Sequence, residues 1–228
     1  MRHWQTLLIG GIWAAAAIVA AGGTITGTVS AKGMLPTSDA GEGGGAYASR
    51  RYKFVEKMDY VHLRDFVVSI DEPMANIAPA SAAMAVTMQK DASFDPHVLP
   101  IAVGTTVRWP NEDDIFHNVF SMSDAKEFDL GYYKKEKTPE IVFDKVGRVD
   151  VFCAIHTRMH CIILVLPNPY FAKTDARGRF IIKDVPPGTY KLKAWHERLP
   201  SAVQEVVVPA EGEVHVDFVL GLGALPKY

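Results

Sequence analysis

The chain has 228 residues, 48% of them hydrophobic and 22% charged, with 18 glycines, 14 prolines and two cysteines. These proportions describe a folded globular protein and exclude disordered, collagen-like and disulfide-scaffold classes. The formal charge of −2 excludes a nucleic-acid protein, which needs a basic face, and two cysteines allow at most one disulfide.

In chain order, the first element is an address. Arg2 supplies a positive charge, residues 7–20 form an uncharged apolar run, and Val19-Ala20-Ala21 offers small residues to a signal peptidase. That is the layout of a secretory signal over residues 1–21. The run is shorter than the roughly 20 apolar residues a membrane span needs. The signal places the protein in the periplasm or secreted, with no membrane span after cleavage; an uncleaved anchor is the alternative.

Strand signals dominate the remainder of the chain. Residues 24–29 alternate β-branched with small side chains, and 66–70 form a second strand-like run. Further runs are predicted at 84–88, 105–109, 140–143, 149–153 and 161–166, then at 179–182, 189–195, 203–208 and 213–220. Turn residues punctuate them at 102–104, 175–178, 186–188 and 211–212. Residues 47–65 could hold a short helix, whereas 41–45 and 72–83 read as loop or linker. Many short strands at regular spacing predict an all-β protein of sandwich or barrel type.

Two β units are expected, one interrupting the other. Asp175-Ala176-Arg177-Gly178-Arg179-Phe180 and Val185-Pro186-Pro187-Gly188-Thr189-Tyr190 resemble turns of the carboxypeptidase regulatory-like domain. That family's opening strands resemble residues 23–29 and 67–70, about a hundred residues upstream. Sandwich edges need partner strands, because unpaired backbone groups cost stability. The expected organisation is therefore a discontinuous sandwich from 23–75 and 168–222, with 84–166 inserted. Two sequential domains are the alternative.

The chemistry lies in the insert. His117-Asn118-Val119-Phe120 precedes Cys153-Ala154-Ile155-His156-Thr157-Arg158-Met159. A thiolate and two imidazoles make a mixed soft and borderline donor set suited to copper, and a weak, distant thioether completes a blue-copper site. The Cys-x2-His-x2-Met spacing puts three ligands on one tight loop, while His117 comes from elsewhere. Residues 84–166 resemble a cupredoxin of the plastocyanin/amicyanin family. The resemblance extends to the approaches to His117 (Val103-Gly104-Thr105-Thr106-Val107-Arg108-Trp109-Pro110-Asn111) and to Cys153 (Phe143-Asp144-Lys145-Val146-Gly147).

The resemblance implies a Greek-key β-sandwich holding one mononuclear copper ion. His117, Cys153 and His156 would be equatorial ligands and Met159 axial. Asn118 would be the residue whose side chain ties the two ligand loops together. His160-Cys161 departs from the family. His160 could replace Met159 as a ligand, Cys161 could pair with Cys153 in a disulfide, and structural zinc suits Cys and His donors. Cys161 otherwise reads as an inert core thiol. His196 reads as surface or turn, and His62, His97 and His215 lack partners at ligand spacing. Residues 134–137, rich in lysine, read as a solvated loop or a dock for an acidic redox partner. Ala154 and Ile155 suit an apolar docking patch around His156.

The function expected is a periplasmic type 1 copper protein carrying single electrons. Its partner would be a redox protein such as a c-type cytochrome or a dehydrogenase, with no nucleic acid. No Ser/His/Asp or paired-carboxylate arrangement marks an enzyme. The alternatives are a copper-handling accessory protein and a structural or adhesive module.

Overall fold

A computed structural model describes residues 22–33, 59–74 and 83–221. Residues 1–21, 41–45, 47–58 and 75–82, and with them the signal, the Gly-rich stretch and most of the 47–65 segment, lie outside the described residues. Where that segment is described it forms a turn, with Asp59 Oδ1 accepting the Val61 and His62 N–H groups at 3.1 and 3.3 Å. The described residues hold eighteen strands and no helix. The described residues are all-β.

Strand pairing divides the elements into two sandwiches. In the first, β1 (Gly23–Ala31) lies against β14 (Arg179–Val185) on one side and β17 (Glu213–His215) and β18 (Phe218–Leu220) on the other. Opposite it, β2 (Val67–Ile70) sits between β13 (Phe171–Lys173) and β15 (Gly188–His196), and β15 pairs with β16 (Leu199–Val208). The two N-terminal strands are thus built into sheets made by residues after 170. β1 alternates, turning Ile25 and Val29 inward and its threonines outward, the period-2 pattern of a strand with one covered face. The 213–220 run divides at Val216, whose backbone comes close against β1: a Cβ at Gly27 would overlap the Val216 carbonyl, so only glycine allows the approach.

The second sandwich uses residues 84–166. One sheet orders β6 (Val98–Ala102), β12 (His160–Leu166), β11 (Gly147–Phe152), β8 (His117–Ser123) and β9 (Lys126–Tyr133). The other orders β10 (Glu140–Val142), β7 (Thr106–Arg108) and β3 (Met84–Val86), and β4 (Met88–Lys90) forms a hairpin with β5 (Ser93–Asp95). Five strands of the protein, β5, β6, β8, β9 and β13, are not predicted by the sequence patterns. β6 contains Pro100, which lacks a ladder donor, and it is tolerated because β6 is an edge strand. β8 mixes polar with apolar side chains while being mostly buried, and β9 mixes them while being mostly part-exposed.

Each sandwich has its own core, and a third cluster joins them. Along β12, Cys161, Ile163 and Val165 enter the core of the second sandwich, while Ile162, Leu164 and Leu166 face the other way. There they meet Val67, Val98, Phe171 and Trp195. This explains why β2 and most of β12 are buried without alternation: each is covered on both faces. At about 1.5–3 kcal/mol per buried aliphatic side chain, the seam makes the two sandwiches one body.

Candidate metal centre

The 110–116 loop is braced before it delivers His117. Asn111 Nδ2 donates to the carbonyls of Ile115 and Tyr133, both at 3.1 Å, and its Oδ1 accepts the Asp113 N–H at 2.8 Å. Asp113 then holds His117. His117, fully buried, sets Nε2 2.7 Å from Asp113 Oδ2. The same carboxylate accepts the backbone N–H groups of Asp91 at 2.8 Å and Ala92 at 3.0 Å. Both of those residues sit at φ 52° in the β4–β5 turn, a left-handed conformation costing about 1–2 kcal/mol per non-glycine residue. Burial raises the Asp113 carboxyl, but the Ala92, His117 and Asp91 hydrogen bonds outweigh it, and the group is held below the usual carboxylate range. An ionised Asp113 makes Nε2 the protonated nitrogen of His117 and leaves Nδ1 as a lone pair.

That nitrogen faces the other candidate donors. His117 Nδ1 lies 3.1 Å from His156 Nδ1, which lies 3.7 Å from Cys153 Sγ. Cys153 is buried at the end of β11, and its sulfur accepts the Asn118 N–H at 3.5 Å. The 153–159 loop is closed on itself: Cys153 N–H donates to the Met159 carbonyl at 3.2 Å and Met159 N–H to the His156 carbonyl at 2.9 Å. Met159, 1% exposed, shares the core with Cys153.

His117, Cys153 and His156 present three donor atoms within 4.8 Å of one another. A tetrahedral ion bound to nitrogen and sulfur at ordinary lengths puts N···N at about 3.3 Å and N···S at about 3.6 Å. The residues fit a metal ion of that size, and the thiolate, imidazole and thioether chemistry around it suits copper.

Three sequence-based expectations need correction. Asn118 links the two ligand loops through its backbone N–H; its side-chain Nδ2 donates instead to Asp129 Oδ1 at 2.6 Å. His160 is not brought to the Cys153 group. One residue before the inward-facing Cys161, its ring takes the opposite face of β12, with Nε2 3.0 Å from Asp150 Oδ1 and the ring stacked on Phe152. Both cysteines are free and buried, so the disulfide alternative is not formed. Burial, reinforced by the charge of Asp150, holds the Cys161 thiol well above its ordinary value.

Exposed apolar side chains flank the candidate donors in the chain. Ile115, Phe116 and Ile155 are exposed, beside His117 and His156 in the chain, and Ala154 is exposed as well. Lys134 lies over the Phe116 ring at 4.7 Å and Lys135 pairs with Asp114 at 2.6 Å. Among the other histidines, His62 pairs with Asp59 and His215 with Asp217. His196, expected at the surface or in a turn, is buried against Phe66 with ring centroids 4.9 Å apart. His97 does have partners, in a second cluster with His160 and Glu197. Asp113 and that cluster were invisible in the sequence: Asp113 is one of several acids in its loop, and His97 and Glu197 are 100 positions apart.

A family model described as polysaccharide lyase family 4, domain II matches residues 168–216; this is not the carboxypeptidase regulatory-like family suggested by the turns. No curated protein matches the chain. Among solved structures, a purple cupredoxin from Nitrosopumilus maritimus is 26% identical, covering 36% of this chain and 98% of its own at a TM-score of 0.32. A copper-containing nitrite reductase from Thermus scotoductus is 28% identical, over 41% of this chain and 25% of its own, at a TM-score of 0.35. An amicyanin mutant in its Cu(I) form is 22% identical, over 44% of this chain and 98% of its own, at 0.34.

Proposed function

We propose that the protein is a single-copper electron carrier that works in the periplasm or outside the cell. The observation that carries this reading is the buried donor set: Cys153 Sγ and the Nδ1 atoms of His117 and His156, gathered within 4.8 Å beside Met159. His117, Cys153 and His156 would hold the ion, with Met159 as the weak fourth donor, and the copper would supply a one-electron couple. The chain's own residues keep the site from rearranging. Asp113 fixes the tautomer and orientation of His117, the Asn118 N–H stabilises negative charge on the Cys153 sulfur, and the 153–159 loop is closed by its own hydrogen bonds. Fixed ligands lower the cost of changing oxidation state, and they oppose the ligand exchange that a copper-handling protein needs.

The half-buried His156, with Ile155 exposed next to it in the chain and Ile115 and Phe116 exposed just before His117, supports electron exit at that end. A redox protein such as a c-type cytochrome or a dehydrogenase would dock there through its own apolar patch. The other sandwich, whose turns resemble the regulatory-like domain, serves as scaffold, and no reaction beyond electron transfer is assigned to the chain. The apolar run at 7–20, with the layout of a secretory signal, supports the location.

Loading with Cu(II) tests the proposal. The wild-type chain should develop an intense visible thiolate-to-copper band that Cys153→Ser abolishes. A protein that stays colourless with copper, or a band that survives the substitution, overturns it.

A further inference from the structure

We propose that His97, His160 and Glu197 form a second cation site, for a divalent ion of the zinc class, at the seam between the two sandwiches. One donor atom from each lies within 4.8 Å of the others. No thiol is among them, and the cluster takes the opposite face of β12 from Cys161 and the core it enters.

Each ring has one nitrogen held by an oxygen acceptor. His97 immediately precedes β6, and its own carbonyl accepts the Ile162 N–H at 2.8 Å, which pins it beside β12. His97 Nδ1 lies 3.2 Å from the His160 carbonyl. A carbonyl only accepts, so Nδ1 carries a proton, and in the neutral ring Nε2 carries a lone pair. That lone pair is 3.1 Å from Glu197 Oε2. An imidazole lone pair and a carboxylate oxygen repel unless a cation lies between them, and the separation is near the roughly 3.3 Å expected of two ligands on one tetrahedral ion. The other claimant to that place is a proton.

His160 is held in the same manner as His117. Its Nε2 donates to Asp150, whose carboxylate is also gripped by Arg148 at 2.7 and 2.8 Å. The charge of Arg148 is thereby matched. Phe152 stacks on the His160 ring at 4.8 Å and His97 meets it edge-on at 5.5 Å. Carboxylate or carbonyl acceptors on the far nitrogen are the usual support of a metal-binding histidine. Glu197 comes from the other sandwich, at the β15–β16 turn, where the Arg198 N–H donates to His196 Nδ1 at 3.1 Å.

Two imidazoles and one carboxylate are a zinc donor set that leaves a coordination place open for water. The side chains of His97, His160 and Glu197 are 39, 25 and 24% exposed, so an ion can enter from solvent and a water can complete its coordination. Because His97 and His160 belong to one sandwich and Glu197 to the other, the ion would fasten the two units at one edge of their apolar seam. The site stands whether or not the Cys153 group binds copper.

Calorimetric titration of Zn(II) into the full chain carrying Cys153→Ala and His156→Ala, which disable the first centre, tests the proposal. The expected result is uptake of one equivalent of zinc. Glu197→Gln and His97→Ala should each abolish it, and Asp150→Asn should weaken it by about 10–100-fold. Glu197→Gln is nearly isosteric and lies in a turn, so it reports on binding even if His97→Ala fails to fold. In the otherwise wild-type chain, Glu197→Gln should leave the copper band of the first centre unchanged. Absence of zinc uptake, meaning a protonated ion pair only, overturns the proposal. So does uptake that Glu197→Gln does not diminish.

Discussion

The two sandwiches of this protein bury different kinds of side chain. The core built from β1, β2, β13–β16 and β18 consists of aliphatic residues and phenylalanines. The core of the 84–166 sandwich contains Cys153, Cys161, Met159 and Tyr133, and buried beside it are Thr87, Gln89, Thr105, Asn111, His117, Asn118 and Ser121. Only Ser69, Asn168 and His196 are buried polar residues elsewhere among those described. A buried polar group costs stability unless it is paired. The second sandwich carries most of that cost, and around the donor set the pairing is directional: Asn111 braces a loop, Asp113 holds His117, and the Asn118 backbone N–H reaches Cys153. One core is packed for cohesion and the other also for aiming donor atoms. The contrast teaches that stability and ligand geometry can be perturbed separately.

The widest separation should come from Phe218→Ala. Phe218 is 1% exposed in the apolar core, and its truncation should cost about 3–5 kcal/mol in chemical denaturation. At low denaturant the copper absorption should be unchanged. If the visible band is lost along with stability, the two cores are not separable. Asp113→Asn reverses the experiment: copper affinity should fall about 10–100-fold in competitive chelator titrations, with a smaller change in unfolding midpoint.

Acid should distinguish the two regions more gently. Burial holds His196 below its ordinary 6.5, against the pull of Glu197. The unfolded chain then takes up the proton first, so the His196 contribution is complete above about pH 6.5 and is lost as pH falls below that value. Asp113 works in the opposite chemical sense but the same direction. Its carboxyl is depressed below 3.8, so its contribution is present above that value and is lost only as pH falls through the lower folded one. Thermal melts between pH 7 and 5 should therefore show a decline that His196→Phe removes and Asp113→Asn leaves in place. The smallest effect is expected at Lys135. Its ion pair with Asp114 is at the surface, and surface pairs contribute little, so Lys135→Ala should leave both the unfolding midpoint and the copper band unchanged. Loss of the band would show that the 134–137 loop supports the site.

Legibility in the sequence depended on how local each feature is. The 153–159 loop stood out because its candidate donors are three residues apart and its backbone closes within the loop. The strands at 149–153, 161–166 and 179–182 were readable because apolar runs bounded by turn residues have few other solutions. β8 was missed because His117, Asn118 and Ser121 are buried there among apolar neighbours, and that mixture has no simple period. β6 was missed because Pro100 argues against a strand unless the strand is known to lie at an edge.

The sequence by itself determined an all-β chain, the donor types, and the order in which they arrive along the chain. Only the tertiary structure decided which nitrogen of His117 is free, because that depends on Asp113 and on the hairpin that supplies it with two N–H donors. Only the structure decided that His160 and Cys161, adjacent in sequence, serve opposite faces of β12, because the side of a strand is set by register against its neighbours. And only the structure could gather His97, His160 and Glu197. Contacts between residues 100 positions apart carry no local signal and exist only once the two sandwiches have packed.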